Sequence, residues 1–219
     1  MKKKGIVWAA AAGLALAVGL IIVQVIGTNQ GGDESGQGKT ITPYWEGLPV
    51  AGMAIGPQDA PVLVEEYFDF QCPQCQIASD EIVKPFVEQV VSKGQARFAY
   101  RLYPILGPES VTAARGAYCA AVQGKFWPFQ AILFAERGTG NRGTYTESSL
   151  RSYAEQAGLD VSAFQTCLAS GEAAIFVGGA YERAVQLGIP GTPVYFVNGR
   201  AVAVRSLDDL VRAVEEASP

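Results

Sequence analysis

The 219-residue sequence predicts an α/β fold: a small mixed β-sheet carrying an inserted helical subdomain, preceded by an N-terminal transmembrane helix. Three patterns predict it. A strand-like run, a helix-like run and a second strand-like run follow one another between residues 60 and 105, the order that makes two strands parallel through a crossover. Roughly 80 residues of Ala-rich helical periodicity then occupy about 107–187. Two apolar runs around Asn198-Gly199 and a final amphipathic helix close the chain, and the Asn-Gly pair is the strongest short signal for a hairpin.

The elements follow in chain order. Lys2, Lys3 and Lys4 precede an uncharged run from Gly5 to Gly27 whose one strongly polar side chain is Gln24. About 20 apolar residues cross a bilayer, whereas the apolar core of a cleaved secretory signal runs about 7–15. "IIVQVIGTNQ" also offers a poor cleavage site, so residues 1–27 read as a membrane anchor, in contact with lipid through 5–27. A cleaved signal is the alternative. Either way the lysines stay inside and the remainder faces an oxidising compartment. "TNQGGDESGQGKT" has almost nothing to bury, and 28–46 read as a flexible linker. The folded domain is then 47–217.

Within it, "APVLVEEYFDF" (60–70) is a buried strand by its β-branched and aromatic content. Over 73–92, Ile82, Val83, Phe86, Val87, Val90 and Val91 mark one face of a helix. Pro85 either kinks or restarts it, and Gly94 ends it. "QARFAYRLYPI" (95–105) is a second strand. Helices are expected at 108–122, 126–136, 147–157, 161–169 and 172–187, with Thr146 as a cap. Phe126, Trp127 and Phe129 of "GKFWPF" would line a substrate groove or form subdomain core, and core is the commoner fate of such a cluster. The amphipathic helix "SLDDLVRAVEEA" has Ser206 as a cap and Asp208 and Asp209 in its first turn, where they complement the helix dipole.

Composition narrows the chemistry. The chain contains no histidine. That excludes Ser-His and Cys-His hydrolases, His-ligated metals and an imidazole proton shuttle. Setting aside Lys2, Lys3 and Lys4 leaves 14 basic residues against 21 acidic ones, a net charge of −7. No basic face for nucleic acid follows from such a balance.

The four cysteines are Cys72, Cys75, Cys119 and Cys167. A Cys₄ zinc site brings two close pairs, and here only Cys72 and Cys75 are close. A structural bridge across so short a loop removes little chain entropy. A redox pair accounts for the placement. Cys72 falls where a strand hands over to a helix, so unpaired N–H groups and the helix dipole favour its thiolate. Pro73 suits the first turn, and Cys75, one turn in, is the more buried sulfur.

"FDFQCPQC", "GKFWPFQAILF", "GTPVYFVNG" and "APVLVEEY" together resemble the thioredoxin-fold, DsbA-like thiol–disulfide oxidoreductases, in particular the membrane-tethered bacterial type. The resemblance covers nearly all of 47–217. It implies that Pro193 is a cis-proline facing the disulfide and that Thr192 presents backbone to an extended substrate; an ordinary trans proline opening a strand is the alternative. It implies a buried proton-relaying acid at Glu66, against the alternative of two partly exposed acids, Glu65 and Glu66. It implies a structural disulfide between Cys119 and Cys167, against two buried free thiols. One departure stands out: the strongest oxidants of the family carry histidine where this chain has Gln74. The function implied is insertion of disulfides into reduced exported proteins, with reoxidation by a quinone-linked membrane thiol oxidase, no metal and no cofactor. A reductase or isomerase of the same fold, or a non-catalytic peptide-binding module, are the rival readings.

Overall fold

The structure, a computed structural model, describes residues 43–138 and 140–219. The anchor expected at 1–27 and most of the linker expected at 28–46 lie outside the described residues. Among the described residues no single helix is long and apolar enough to cross a membrane. Residues 43–46 do not behave as tether. They form a turn that lays Tyr44 and Trp45 on the core, and Tyr44 meets the Trp127 ring edge-on at 6.1 Å. Two aromatic rings in succession supply the apolar area that the preceding Gly-rich stretch lacks.

Six strands form one mixed sheet: β1 Val50–Ala51, β2 Ala54–Ile55, β3 Leu63–Phe68, β4 Arg97–Leu102, β5 Val194–Val197 and β6 Arg200–Val202, in the order β1-β2-β4-β3-β5-β6. β3 and β4 are parallel and the other pairings antiparallel. Asn198 (φ 47) and Gly199 (φ 77) both adopt positive φ between β5 and β6, the requirement of a two-residue hairpin turn. The β1–β2 hairpin turns at Gly52 (φ 59). Sequence reading missed it because two-residue strands are too short to show alternation.

Between β3 and β4 the helix expected over 73–92, kinked or restarted at Pro85, is divided. α1 (Pro73–Ala78) leads into a π-helical turn (Ser79–Val83), then α2 (Lys84–Gln89) and a 3₁₀ turn ending at Gly94 (φ 72). Pro85 supplies the reason. Its nitrogen has no hydrogen to give the carbonyl four residues back, so the ladder widens just before it. The helical subdomain comprises α3 (Pro108–Val122), α4 (Phe126–Ala135), α5 (Glu147–Gln156), α6 (Val161–Ala169) and α7 (Gly171–Gln186). The Thr146 hydroxyl caps α5, accepting from Ser149 N at 3.1 Å. Ser206 likewise caps α8 (Leu207–Ala217).

Strand alternation sorts the sheet into two faces. Val64, Glu66 and Phe68 of β3 lie beside Phe98, Tyr100 and Leu102 of β4 and face the main core. Trp127 and Phe134 of α4 close over it, with rings 5.5 Å from Tyr100 and 6.0 Å from Phe68. The "GKFWPF" aromatics are therefore shared core, joining subdomain to sheet. The opposite face is smaller: Tyr67 and Phe196 pack with Ala184 of α7 and Ile189.

Cys119 of α3 and Cys167 of α6 are joined by a disulfide across 48 residues. A cross-link over that length removes denatured-state entropy worth about 4 kcal/mol in the chain-entropy model. Replacing both cysteines by alanine is expected to lower the urea midpoint by an amount equivalent to about 2–4 kcal/mol. An unchanged midpoint in oxidised protein would show that the bridge carries no stability.

Candidate functional site

The site is built where β3 ends. Three residues, Asp69-Phe70-Gln71, carry the chain from Phe68 to Cys72, which stands at the N-cap of α1 in extended conformation (φ −73, ψ 119). Pro73 begins the helix at no cost in hydrogen bonds, since the first N–H groups have no intrahelical partner anyway. Cys72 is 6 % exposed and Cys75 is fully buried, and both are free thiols. Pro73 and Gln74 occupy the exposed side of the first turn.

The handover is fixed by Asp69, 2 % exposed. Its carbonyl accepts the Cys72 N–H at 3.1 Å. Its carboxylate accepts four hydrogen bonds, from Gln71 N (2.8 Å), the Ser110 hydroxyl (2.7 Å), Ile105 N (2.8 Å) and Leu106 N (2.9 Å). Gln71 extends the clamp: its amide donates to Ser110 Oγ at 2.9 Å and accepts from Asn141 N at 2.5 Å. Farther along the helix, Gln76 donates to Phe134 O at 2.7 Å and accepts from Arg137 Nε at 2.6 Å. The two-cysteine turn is thus fastened to the helical subdomain on both sides.

Thr192 and Pro193 come against it from the loop before β5. The Cys72 sulfur is 3.4 Å from the Thr192 carbonyl oxygen, and the Thr192–Pro193 bond is cis. The two sulfurs are pushed apart in acidity. A hydrogen bond from Cys75 to the Cys72 sulfur does most to lower the Cys72 thiol, to about 6; burial opposes the shift, while Thr192 and the Cys75 and Gln74 N–H groups add to it. Burial, first, and the same sulfur–sulfur contact, second, push Cys75 up. One sulfur is therefore a thiolate at neutral pH and its neighbour a thiol.

Glu66 lies beneath, wholly buried, between Tyr100 of β4 and Tyr195 of β5 in the sheet register. Neither of its oxygens makes a hydrogen bond of good geometry. Burial holds its carboxyl well above the ordinary value of 4.5; the Tyr195 hydroxyl opposes the rise and charge on Cys72 adds to it. Glu65 points the other way and pairs with Arg101 at 2.7 Å. A cleft of about 290 Å³ on that opposite face, between Glu65, Arg101 and Arg183, is lined by neither cysteine. Cys72, Cys75, Glu66, Thr192 and Pro193 thus share one locality; Cys119 and Cys167 belong to the helical subdomain. Sequence reading passed over Asp69, Gln71, Tyr100 and Tyr195. For Asp69 a signal existed: an acid flanked by phenylalanines at a strand end must find partners or stay out of the core.

Two outcomes follow from this geometry. Asp69→Ala leaves the Ile105 and Leu106 N–H groups without their acceptor and is expected to cost about 2–4 kcal/mol, read from the urea midpoint. For Glu66, a folded-state pKa above the unfolded value means full stability below about pH 4.5 and a loss as pH rises from there. Glu66→Gln is therefore expected to raise the denaturation midpoint at pH 8 and not at pH 4. Parallel pH profiles for the two proteins would contradict a neutral buried carboxyl.

The family model described as "Thioredoxin" matches residues 49–216. The Na(+)/H(+) antiporter NhaA 1 of Salinispora arenicola is 34 % identical over 148 residues, 66 % of this chain. The chain spans only 21 % of that antiporter's length. The "Probable disulfide bond formation protein D" of Bacillus anthracis is 27 % identical over 205 residues, 92 % of this chain and 89 % of that protein. In three dimensions the chain is similar to oxidised BdbD of Bacillus subtilis, with TM-score 0.71, 22 % identity and coverage of 78 % of this chain and 96 % of that one. Matched to that family model over residues 49–216, this chain belongs to the thioredoxin family.

Proposed function

We propose that the protein is an extracytoplasmic thiol–disulfide oxidoreductase that introduces disulfide bonds into exported proteins. Residues 1–27 would tether it to the membrane, with the linker after them and the redox domain outside the cell. The observation that carries the reading is the unequal pair of sulfurs at one helix start, with the thiolate-favouring member beside Thr192 and Pro193.

A substrate thiolate attacks Sγ of Cys72 in the Cys72–Cys75 disulfide. The S–S bond breaks, Cys75 leaves with the electron pair, and Glu66, protonated in its buried position, supplies the proton that Cys75 requires. A second substrate thiolate attacks the substrate sulfur of the mixed disulfide, expelling Cys72 as a thiolate. The substrate has lost two electrons and the dithiol has gained them. Expulsion is favourable because a thiol titrating at about 6 is a good leaving group at neutral pH. Thr192, at the open side of Cys72, would pair its backbone with the extended substrate segment.

Oxidation is favoured over reduction by two observations. Stabilising the Cys72 thiolate stabilises the reduced state, which makes the disulfide the stronger oxidant. The Bacillus relatives carry disulfide bond formation in their names. The reduced dithiol would be returned to the disulfide by a quinone-linked thiol oxidase in the membrane. The same fold run in reverse, as a reductase or isomerase, is the second reading; Gln74, bringing no positive charge where the strongest oxidants have histidine, is what favours it.

The deciding measurement is the reduction potential of the Cys72–Cys75 couple. A value toward about −120 mV supports the oxidase, and one near about −270 mV, the thioredoxin range, supports the reductase. Iodoacetamide labelling of reduced protein across pH is expected to show Cys72 titrating near 6. A midpoint at or above the free-cysteine value of about 8.5 overturns the site chemistry. Cys72→Ser should abolish oxidation of a reduced unfolded substrate.

A further inference from the structure

The cleft on the second face of the sheet takes no part in the proposed redox chemistry, and its charge runs against that of the chain. Leaving aside Lys2, Lys3 and Lys4, the chain carries 21 acidic residues against 14 basic ones. In the cleft two guanidinium groups meet one carboxylate. The sheet supplies Glu65 and Tyr67 from β3, Arg101 from β4 and Phe196 from β5. Tyr67 stands opposite Arg101 in the strand register, and Glu65 opposite Phe196. The other wall is the end of α7, where Ala180, Arg183 and Leu187 recur at the three- and four-residue spacing of one helix side.

Arg101 is already oriented. Its Nε and Nη2 both donate to the same Glu65 oxygen, each at 2.7 Å. Nη1 of Arg101 and the second Glu65 oxygen take no part in that pair. Among the described residues Arg183 forms no ion pair. The Tyr67 ring is 5 % exposed and meets Phe196 edge-on at 5.4 Å, so its position is fixed by packing. Burial does most to raise the Tyr67 hydroxyl above its ordinary value of 10; Glu65 adds to the rise, and Arg101 and Arg183 oppose it. All three charges therefore act on one phenol, which stays a neutral donor at neutral pH. Two arginines and one glutamate leave the cleft with a net charge of +1. Two cations facing one small space repel each other, and Glu65 offsets only one of them.

We infer that this cleft binds a small amphipathic monocarboxylate, with its carboxylate between Arg183, Arg101 and Tyr67 and its apolar body on Phe196, Ala180 and Leu187. The inference stands apart from the redox reading, because neither cysteine lines the cleft. Charge sets the first limit. One negative charge neutralises the site, whereas Glu65 would repel the second charge of a phosphate dianion. Geometry sets the next: a planar carboxylate matches the fork of a guanidinium, and the phenol hydroxyl donates to the same group. The apolar body follows from Phe196, Ala180 and Leu187, whose side chains offer no hydrogen bond. Size sets the last. A volume of about 290 Å³ is at the lower end for small-ligand sites, which run from about 300 to 1,000 Å³. At about 30 Å³ each it holds roughly ten non-hydrogen groups.

The test is a ligand-observed saturation-transfer NMR titration of 3-phenylpropionate with the full-length protein in detergent micelles, with empty micelles as the blank. Saturable binding is expected, tighter by about tenfold or more than that of 3-phenylpropionamide, which keeps the shape and loses the charge. Inorganic phosphate, as the dianion, is expected to bind more weakly than the acid. Arg183→Gln, at an exposed helix position, should weaken binding of the acid by about tenfold or more. Ala180→Phe fills the cleft from α7 and should abolish binding. The urea midpoints of both variants show whether they fold, and the comparison of acid with amide needs no variant. Absence of saturable binding by the parent, equal affinity for acid and amide, or undiminished binding by folded Arg183→Gln or Ala180→Phe overturns the site. Phosphate bound as tightly as the acid overturns the assignment to a monocarboxylate.

Discussion

The placement of two sulfurs at the start of α1, Cys72 at the N-cap and Cys75 buried one turn in, is the constraint on which the rest depends. It makes chemically identical side chains unequal, one a thiolate near neutral pH and the other a thiol. That requirement reaches back through the three-residue handover to the end of β3, and through the parallel β3–β4 pairing to the centre of the sheet.

The helical insertion can be understood as part of that geometry. Asp69, Gln71 and Gln76 bind the redox turn to the start of α3, the end of α4 and the segment around Asn141. Trp127 and Phe134 bind the same helices to the sheet through the core. Polar bonds set direction here and aromatic contacts supply burial. Neither alone would hold a sulfur to within hydrogen-bonding distance of Thr192, which arrives from a segment 120 residues away.

Beneath the sulfurs the protein accepts a cost that most cores avoid. A carboxyl and two tyrosines sit side by side on the central strands, with several of their oxygens unpaired. A hydrophobic residue at Glu66 would pack with less penalty. The arrangement makes chemical sense where a buried thiol must gain and lose a proton.

Local chemistry was legible without a structure. Apolar periodicity located the long helices within a residue or two, Asn198-Gly199 located the β5–β6 hairpin, and Thr146 and Ser206 located two helix starts, because these signals act over a few residues. Cys72 at a strand-to-helix junction was legible for the same reason. The β1–β2 hairpin was too short to leave a pattern, and Tyr44 and Trp45 gave no sign that they would dock. The partners of Asp69, the alignment of Glu66 with Tyr100 and Tyr195, and the approach of Thr192 to Cys72 were settled only in three dimensions. They join residues 36 or more positions apart in nearly every case, and no local propensity encodes which distant side chain a buried polar atom will meet. The sequence by itself determined that a reactive pair of sulfurs begins a helix, with the outer one favoured as thiolate; tertiary packing decided which distant groups meet them, Thr192 at Cys72 and Glu66 beneath, because such approaches exist only once the chain is folded.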